Sequence, residues 1–189
     1  MPPKVKVTKR DIINAALNTV RECGEAGINA RTVASALGCS TQPVFSNFAT
    51  IDELKEETAL AAYHIYEGFI AREIKRGEYP PYKSFGMAYI RFAKEERELF
   101  KLLFMCDRSK KSFTPTHEFD ASVEMIMHTN GISKEKAELL HLEMWTFVHG
   151  IGAMVATSFL VFEEELASRM ITDIYQGVRT RILSEENQK

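Results

Sequence analysis

The chain is short of the residues that build most catalytic and metal centres. Its 189 residues include only three cysteines, Cys23, Cys39 and Cys106, an odd number without metal-ligand spacing. That excludes a disulfide scaffold and a zinc-type cysteine cluster. With no secretory leader at the N-terminus, it predicts reduced thiols and a cytoplasmic setting. Each cysteine is expected to act as a small buried hydrophobe. There is no glycine-rich phosphate loop, no Gly-x-Ser-x-Gly elbow and no zinc-type His/Cys cluster, so the chemistries that depend on them lack their signatures. One Glu-x-x-His spacing occurs, Glu138 to His141. A di-iron helix bundle needs a second copy and two more inward carboxylates, and the sequence holds no second copy. Glu138 and His141 are therefore expected on a solvated helix face. No cofactor, no metal and no enzymatic activity are expected.

Strand-type alternation is missing as well, and so are repeats and low-complexity tracts. The composition, 45% hydrophobic and 26% charged, is that of an ordinary globular protein with enough length to bury a core. The stretch Trp145 to Phe162 holds no charged residue and just reaches bilayer thickness. It contains Thr146, His149, Gly150, Gly152, Thr157 and Ser158, has acids at both ends, and lacks a flanking Lys/Arg cluster. A helix covered by protein is expected there, and no membrane span. Net charge is −2, which argues against a protein that coats nucleic acid indiscriminately. Its distribution is uneven. Residues 1–50 hold six basic and three acidic residues, a net +3, which leaves −5 for residues 51–189. A basic head on an acidic body is the asymmetry expected when one end meets phosphates.

The apolar periodicity throughout is helical. Residues 1–7 form a short arm whose Lys4 and Lys6 can reach a phosphate backbone. Thr8 with Asp11 predicts a capped start for the first helix, and Ile12, Ile13, Ala16, Leu17 and Val20 give its stripe up to Gly24 and Gly27. Val33, Ala34 and Leu37 mark a short helix that Gly38 stops. Ser40 is expected to cap the next, Pro43 sits in its first turn, and Val44 and Phe48 point back to the core. Thr41, Gln42, Ser46 and Asn47 are left facing outward. Two helices joined by a glycine-containing turn, with hydrogen-bonding side chains near the start of the second, form the pattern of a helix-turn-helix that reads DNA. Thr50 with Glu53 then caps a helix to about Lys75. Beyond the break at Gly77 to Pro81, helices are expected over about 82–94, 95–106, 115–129, 133–162 and 163–183. A basic, exposed loop is expected over about 107–114. The last helix carries Leu166, Met170, Ile174, Val178 and Ile182 at spacings of four. The expected architecture is all-α with about nine helices. Residues 1–50 make a three-helix helix-turn-helix domain and residues 51–189 a helical ligand-binding and dimerisation domain.

These residues resemble the TetR family of one-component transcriptional regulators. The matching text is Ile13-Asn-Ala-Ala16, Gly27-Ile28, Arg31-Thr-Val-Ala34, Leu37-Gly38, Ser40 to Phe48 and Asp52-Glu53-Leu54. Trp145-Thr-Phe-Val-His149-Gly150 resembles the Trp-x-x-x-His-Gly element of one C-terminal subgroup of that family. The resemblance implies a homodimer with paired heads, a palindromic double-stranded DNA operator and a small-molecule effector that releases a repressor. It places DNA contacts on Arg31, Thr41, Gln42, Pro43, Phe45, Ser46 and Asn47. Two positions depart from it. Phe45 stands where the family usually has Tyr, and Ile51 where it often has Lys, so two phosphate contacts are missing and a lower DNA affinity is expected. The competing expectation is a helical small-molecule-binding or scaffolding protein whose DNA binding has weakened. Met and aromatic side chains are plentiful beyond residue 60, and a pocket lined by some of Phe104, Met125, Trp145 and His149 is expected among them. Gly150, Gly152, Ala153 and Ala156 let another helix approach closely. With Met170 and Ile174 of the last helix they are expected to form the dimer interface.

Overall fold

A computed structural model describes residues 7–107, 116–161 and 163–186, without the side chains of 116–118, 185 and 186. Among the described residues the chain is all-helical and has no strand. The helices are α1 (Lys9–Cys23), α2 (Ala30–Ala36), α3 (Gln42–Asn47), α4 (Ile51–Arg76), α5 (Pro81–Glu95), α6 (Arg97–Phe104), α7 (Thr116–Asn130), α8 (Lys134–Ala156) and α9 (Glu164–Glu186), with a single 3-10 turn at Glu25–Gly27. The chain divides into two compact units: residues 1–65 with 96–113, and residues 66–95 with 114–189. The first fifteen residues of α4 belong to one unit and its remainder to the other.

In the first unit, α1 packs against α2, α3 and α6. Its core is built from Ile12, Ala16, Val20, Val33, Val44, Leu54 and Leu99, all without solvent contact. Side chains satisfy the helix ends. Thr8 and Asp11 form a reciprocal capping box on α1, and Asn29 and Thr32 do the same on α2. On α4, Thr50 Oγ1 accepts from Glu53 N at 3.1 Å while Glu53 Oε2 accepts from Ala49 N at 2.7 Å. A two-pronged ion pair joins α1 to the start of α6, with Arg21 Nε and Nη2 each 2.8 Å from a Glu96 carboxylate oxygen.

The second unit is laid around α8, which α5, α7 and α9 all contact. Leu140, Met144, Val148, Ile151 and Val155 form the buried stripe of α8. An aromatic cluster of Tyr66, Phe69, Tyr89 and Phe92 ties the end of α4 to α5. Gly86 lets α5 come close: a Cβ there would lie 3.4 Å from both Val148 and Ile171.

Several expectations need correction. Ser40 does not cap α3; its N-cap is Thr41, in helical backbone and without a side-chain cap bond. The long helix stops at Ala156 rather than Phe162. Ser158 takes a left-handed φ of 58°, Phe159 N reaches Met154 O at 3.0 Å and Ser158 N reaches Val155 O at 3.1 Å, a Schellman stop built on serine. On α9 the buried positions are Ala167, Ile171 and Ile182, so Leu166, Met170 and Ile174 line a more exposed face. Cys23 is exposed and Cys39 and Cys106 are half-buried, all three free, so none is a core hydrophobe. Residues 1–6 of the expected arm and residues 108–114 of the expected loop lie outside the described residues.

The same stop also ends α2, with Cys39 N on Ala34 O at 3.0 Å, Gly38 N on Ser35 O at 3.0 Å and Gly38 at φ 63°. No atom lies within 4 Å of where a Gly38 Cβ would stand, so only backbone strain opposes a side chain there. Gly38→Ala is expected to lower stability by about 1 kcal/mol, and Ser158→Gly to raise it by up to about 1 kcal/mol. Denaturant unfolding of the two variants, moving in opposite directions, checks both.

Candidate functional site

Two features of the structure can do chemistry, one in each unit. The first is the outer surface of α2, α3 and their turn. Val33, Val44 and Phe48 are buried and fix the pair from below. Above them Arg31, Gln42, Phe45 and Ser46 are exposed, Phe45 by 55%, and Thr41, Pro43 and Asn47 are half-buried. The seven expected contact residues therefore fall on one short motif. Two of them already make bonds within α3. Ser46 Oγ donates to Gln42 O at 2.9 Å and Asn47 Nδ2 to Pro43 O at 2.8 Å, whereas the Arg31 and Gln42 side chains make no hydrogen bond among the described residues. Ile51, at the first position of α4, is half-buried and supplies no charge.

The second feature is a cavity of about 410 Å³ within the second unit, a size usual for small-molecule sites. All five helices of that unit contribute. One end is polar. Tyr82 Oη lies 3.0 Å from His141 Nδ1, and the Tyr82 and Tyr175 rings stand 5.8 Å apart. Asn130 Nδ2 donates to Ile126 O at 2.9 Å and to Tyr175 Oη at 3.0 Å. Asn130 Oδ1 accepts from Arg179 Nε at 2.6 Å. Lys83 Nζ donates to Thr172 Oγ1 at 2.8 Å. Burial lowers the Lys83 pKa, with Asp173 acting in the opposite sense, and burial pushes the Tyr82 hydroxyl upward. The other end is apolar and aromatic, with Tyr66, Phe85, Tyr89, Met144 and Val148.

Of the expected pocket residues, Met125 and Trp145 line this cavity. His149 stands behind the wall, its Nδ1 2.8 Å from Tyr89 Oη and its ring stacked on Trp145 at 5.1 Å. Phe104 lines no part of it; α6 belongs to the first unit, where the Phe104 ring packs on Phe100 at 5.3 Å. His141 is the main correction. It lines the cavity instead of a solvated face, while Glu138 stands 3.7 Å from Lys134 on the outer side of α8. Tyr82, Lys83, Asn130, Tyr175 and Arg179 were missed as well. The usable signal was the recurrence of Tyr at 82 and 89 and of His at 141 and 149, two helical turns apart on partner helices. Of the expected interface residues, Gly152 and Ala156 are buried within their own unit, whereas Gly150, Ala153 and Met170 are half-exposed and Ile174 is exposed.

Burial holds the His141 pKa down at about 4, against an ordinary 6.5. The unfolded chain takes up this proton as pH falls through about 6.5, and the folded protein only near 4. Stability from neutral His141 is therefore complete above about pH 6.5 and is lost as pH drops towards 4. His141→Gln removes the titration. It is expected to flatten the decline in stability between pH 6.5 and 4.5, by at most about 1.4 kcal/mol per pH unit and less because the ring is partly solvated. Denaturant unfolding at a series of pH values checks it.

No protein-family model matches the chain, and no curated protein matches it. Solved structures do. A protein of unknown function from Rhodococcus sp. RHA1 superposes with a TM-score of 0.74 at 18% identity, over 93% of this chain and 97% of that one. A TetR family member from Streptomyces coelicolor A3 gives 0.63 at 22% identity, over 89% and 98%. A TetR-like transcriptional regulator from Rhodococcus sp. RHA1 gives 0.68 at 15% identity, over 93% and 96%. The chain has the fold of the TetR-type regulators.

Proposed function

We propose that this protein is a ligand-responsive DNA-binding transcriptional regulator, a cytoplasmic homodimer that represses from a palindromic operator and is released when a small apolar effector occupies the cavity. The observation that carries the reading is the α2–α3 surface: Arg31 and Gln42 stand exposed and uncommitted above a pair of helices anchored by Val33, Val44 and Phe48. A guanidinium pairs with phosphate or guanine and a Gln amide with adenine, so the two supply register and sequence. Thr41, Pro43, Phe45, Ser46 and Asn47 complete the contact surface. Phe45 can lie against a thymine methyl or a sugar in place of a phosphate bond. The similarity of Trp145-x-x-x-His149-Gly150 to one subgroup of these regulators belongs to the same proposal.

The homodimer reading draws support from apolar side chains exposed on the outward faces of α8 and α9. Leu142 and Trp145 of α8 are 53% and 45% exposed, and Leu166 and Ile174 of α9 are 37% and 39% exposed. A two-fold axis through such a face buries it twice and presents two equivalent recognition helices. Coupling would run through α4, a single helix that starts in the first unit and contributes the cavity wall Tyr66 in the second. An effector that displaces Tyr66 alters the helix carrying the heads. It shifts the equilibrium only as far as it binds one head spacing better than the other.

Phe45 and Ile51 favour the second reading, a helical binding protein that has lost its operator. The two separate on DNA selected from a random pool. The regulator reading expects a palindromic site. It also expects the Arg31→Ala/Gln42→Ala variant to lose at least a hundredfold in affinity for that site, with its helical circular dichroism unchanged. If no sequence is enriched, or the double variant protects the same bases as the parent, the reading fails.

A further inference from the structure

We infer that the cavity of the second unit is a site for an apolar monocarboxylic acid, held with its carboxylate between Arg179 and Lys83 and its body against Tyr66, Met144 and Val148. The inference rests on the proposal that this cavity is the effector site, and it specifies what the effector carries. Among the described residues that line the cavity there are two cations, Lys83 and Arg179, and no carboxylate. Two like charges disfavour a cationic ligand, which would find aromatic rings but no carboxylate to pair with in the described lining. The remaining polar groups at that end are neutral at pH 7. His141 charges only near pH 4, and Tyr82 and Tyr175 are phenols.

Arg179 is prepared for an anion. Its Nε donates to Asn130 Oδ1 at 2.6 Å. Asn130 is itself fixed by Ile126 O and Tyr175 Oη, so the guanidinium plane is held before any ligand arrives. The terminal nitrogens of Arg179 make no bond among the described residues, which leaves the two-pronged edge that matches a carboxylate. Lys83 makes one hydrogen bond, to the neutral Thr172 hydroxyl, and its ammonium sits 4.9 Å above the Tyr79 ring. Burial penalises that charge with no carboxylate in bonding contact to offset it, and an arriving anion relieves the penalty.

Thr172 and Arg179 are seven residues apart on α9, about 10 Å along the axis. A carboxylate beside Tyr175 lies next to the fixed guanidinium, and the ammonium, on its flexible four-carbon stem, has to swing from Thr172 towards it to engage the same group. From His141 to Val148 on α8 is the same two-turn span, about 10 Å, and over it the lining changes from polar to apolar. That length suits a medium-chain or arylalkyl acid with one charged end.

Titration calorimetry on the full-length protein without DNA tests the assignment, with decanoate and 4-phenylbutyrate as probes and decanamide and decyltrimethylammonium as neutral and cationic controls. At least one acid is expected to bind at least tenfold more tightly than the amide, and the ammonium not to bind. Arg179→Met and Lys83→Met are each expected to weaken the acid tenfold or more while leaving the amide unchanged, and Arg179→Lys to recover part of the loss. The acid-to-amide ratio is measured on the unaltered protein, so a variant that misfolds does not hide the result. The assignment is overturned if neither acid binds, if the amide or the ammonium matches the acid, or if both methionine variants bind the acid normally. Repeating the titration with operator DNA separates the two proposals. Acid binding without any change in DNA affinity refutes the regulatory reading alone, and release of DNA by another compound with no acid bound refutes this inference alone.

Discussion

Helix α8 cannot stand in water, and covering it organises the second unit. After Glu143 it carries no charged residue through to its end at Ala156. Its inner stripe of Leu140, Met144, Val148, Ile151 and Val155 gains about 1.5–3 kcal/mol for each large side chain taken out of water. Three helices close over it, and the nearest approach of α5 is set by one missing side chain, at Gly86. Tyr82 and Tyr89 flank Gly86 on the same face of α5, four residues before and three after. The cavity takes in all three positions, so the residues that decide how closely α5 meets α8 also shape the space a ligand can enter.

Large aromatic side chains bring polar atoms into that interior, and each must find a partner. The solution recurs between α5 and α8: Tyr82 with His141 and Tyr89 with His149, both hydroxyl to Nδ1. The two pairs advance in the same direction along both helices, which therefore run parallel where they touch. A harder case lies at Glu73 on α4, which is 1% exposed yet carries a carboxylate. Arg76 Nη1 donates to its Oε1 at 3.1 Å, and Arg91 Nε stands 2.7 Å from the same oxygen without hydrogen-bond alignment. Arg91 also pairs with Glu164. Removing one member of such a buried set strands a charge, so the set fixes the end of α4 to α5 and α9 more by the cost of breaking it than by its net attraction.

How much of this could be read from the sequence follows from how local each cause is. The all-helical class, the caps at Thr8 and Thr50 and the stop at Gly38 are decided within four or five residues, and the sequence states them plainly. The end of α8 was missed because Ser158 adopts a left-handed conformation that glycine normally marks. The sequence does not by itself say which face of α9 turns inward, because two stripes with the same period compete there. Leu166, Met170 and Ile174 look as good as Ala167, Ile171 and Tyr175 until the packing partner is known. His141 is expected on the outside because the sequence holds no second Glu-x-x-His to share a buried site, whereas its environment comes from Tyr82 and from Phe119 of α7, whose ring is 4.8 Å away. A cavity that draws a few residues from each of five helices leaves no period in any one of them.

Charge gives the sharpest contrast between chain and site. Residues 51–189 carry −5, so a pocket drawn at random from that body would more often meet a carboxylate than a cation. The described lining has it the other way round, with Lys83 and Arg179 and no acid. Acids such as Glu163, Glu164 and Glu165 stand on the surface, where water carries their solvation and their repulsion keeps copies apart. Both cations are half-buried, and burial lowers the Lys83 pKa with Asp173 acting against it. Packing alone does not call for a cation there, since an apolar side chain of similar length would fill the space without the desolvation cost, and Asp173, the carboxylate whose field favours the Lys83 charge, makes no ion pair with it among the described residues. A charge kept at a cavity wall against both the composition of its surroundings and the preference of its solvent is best accounted for by a counter-ion that is absent from the chain itself.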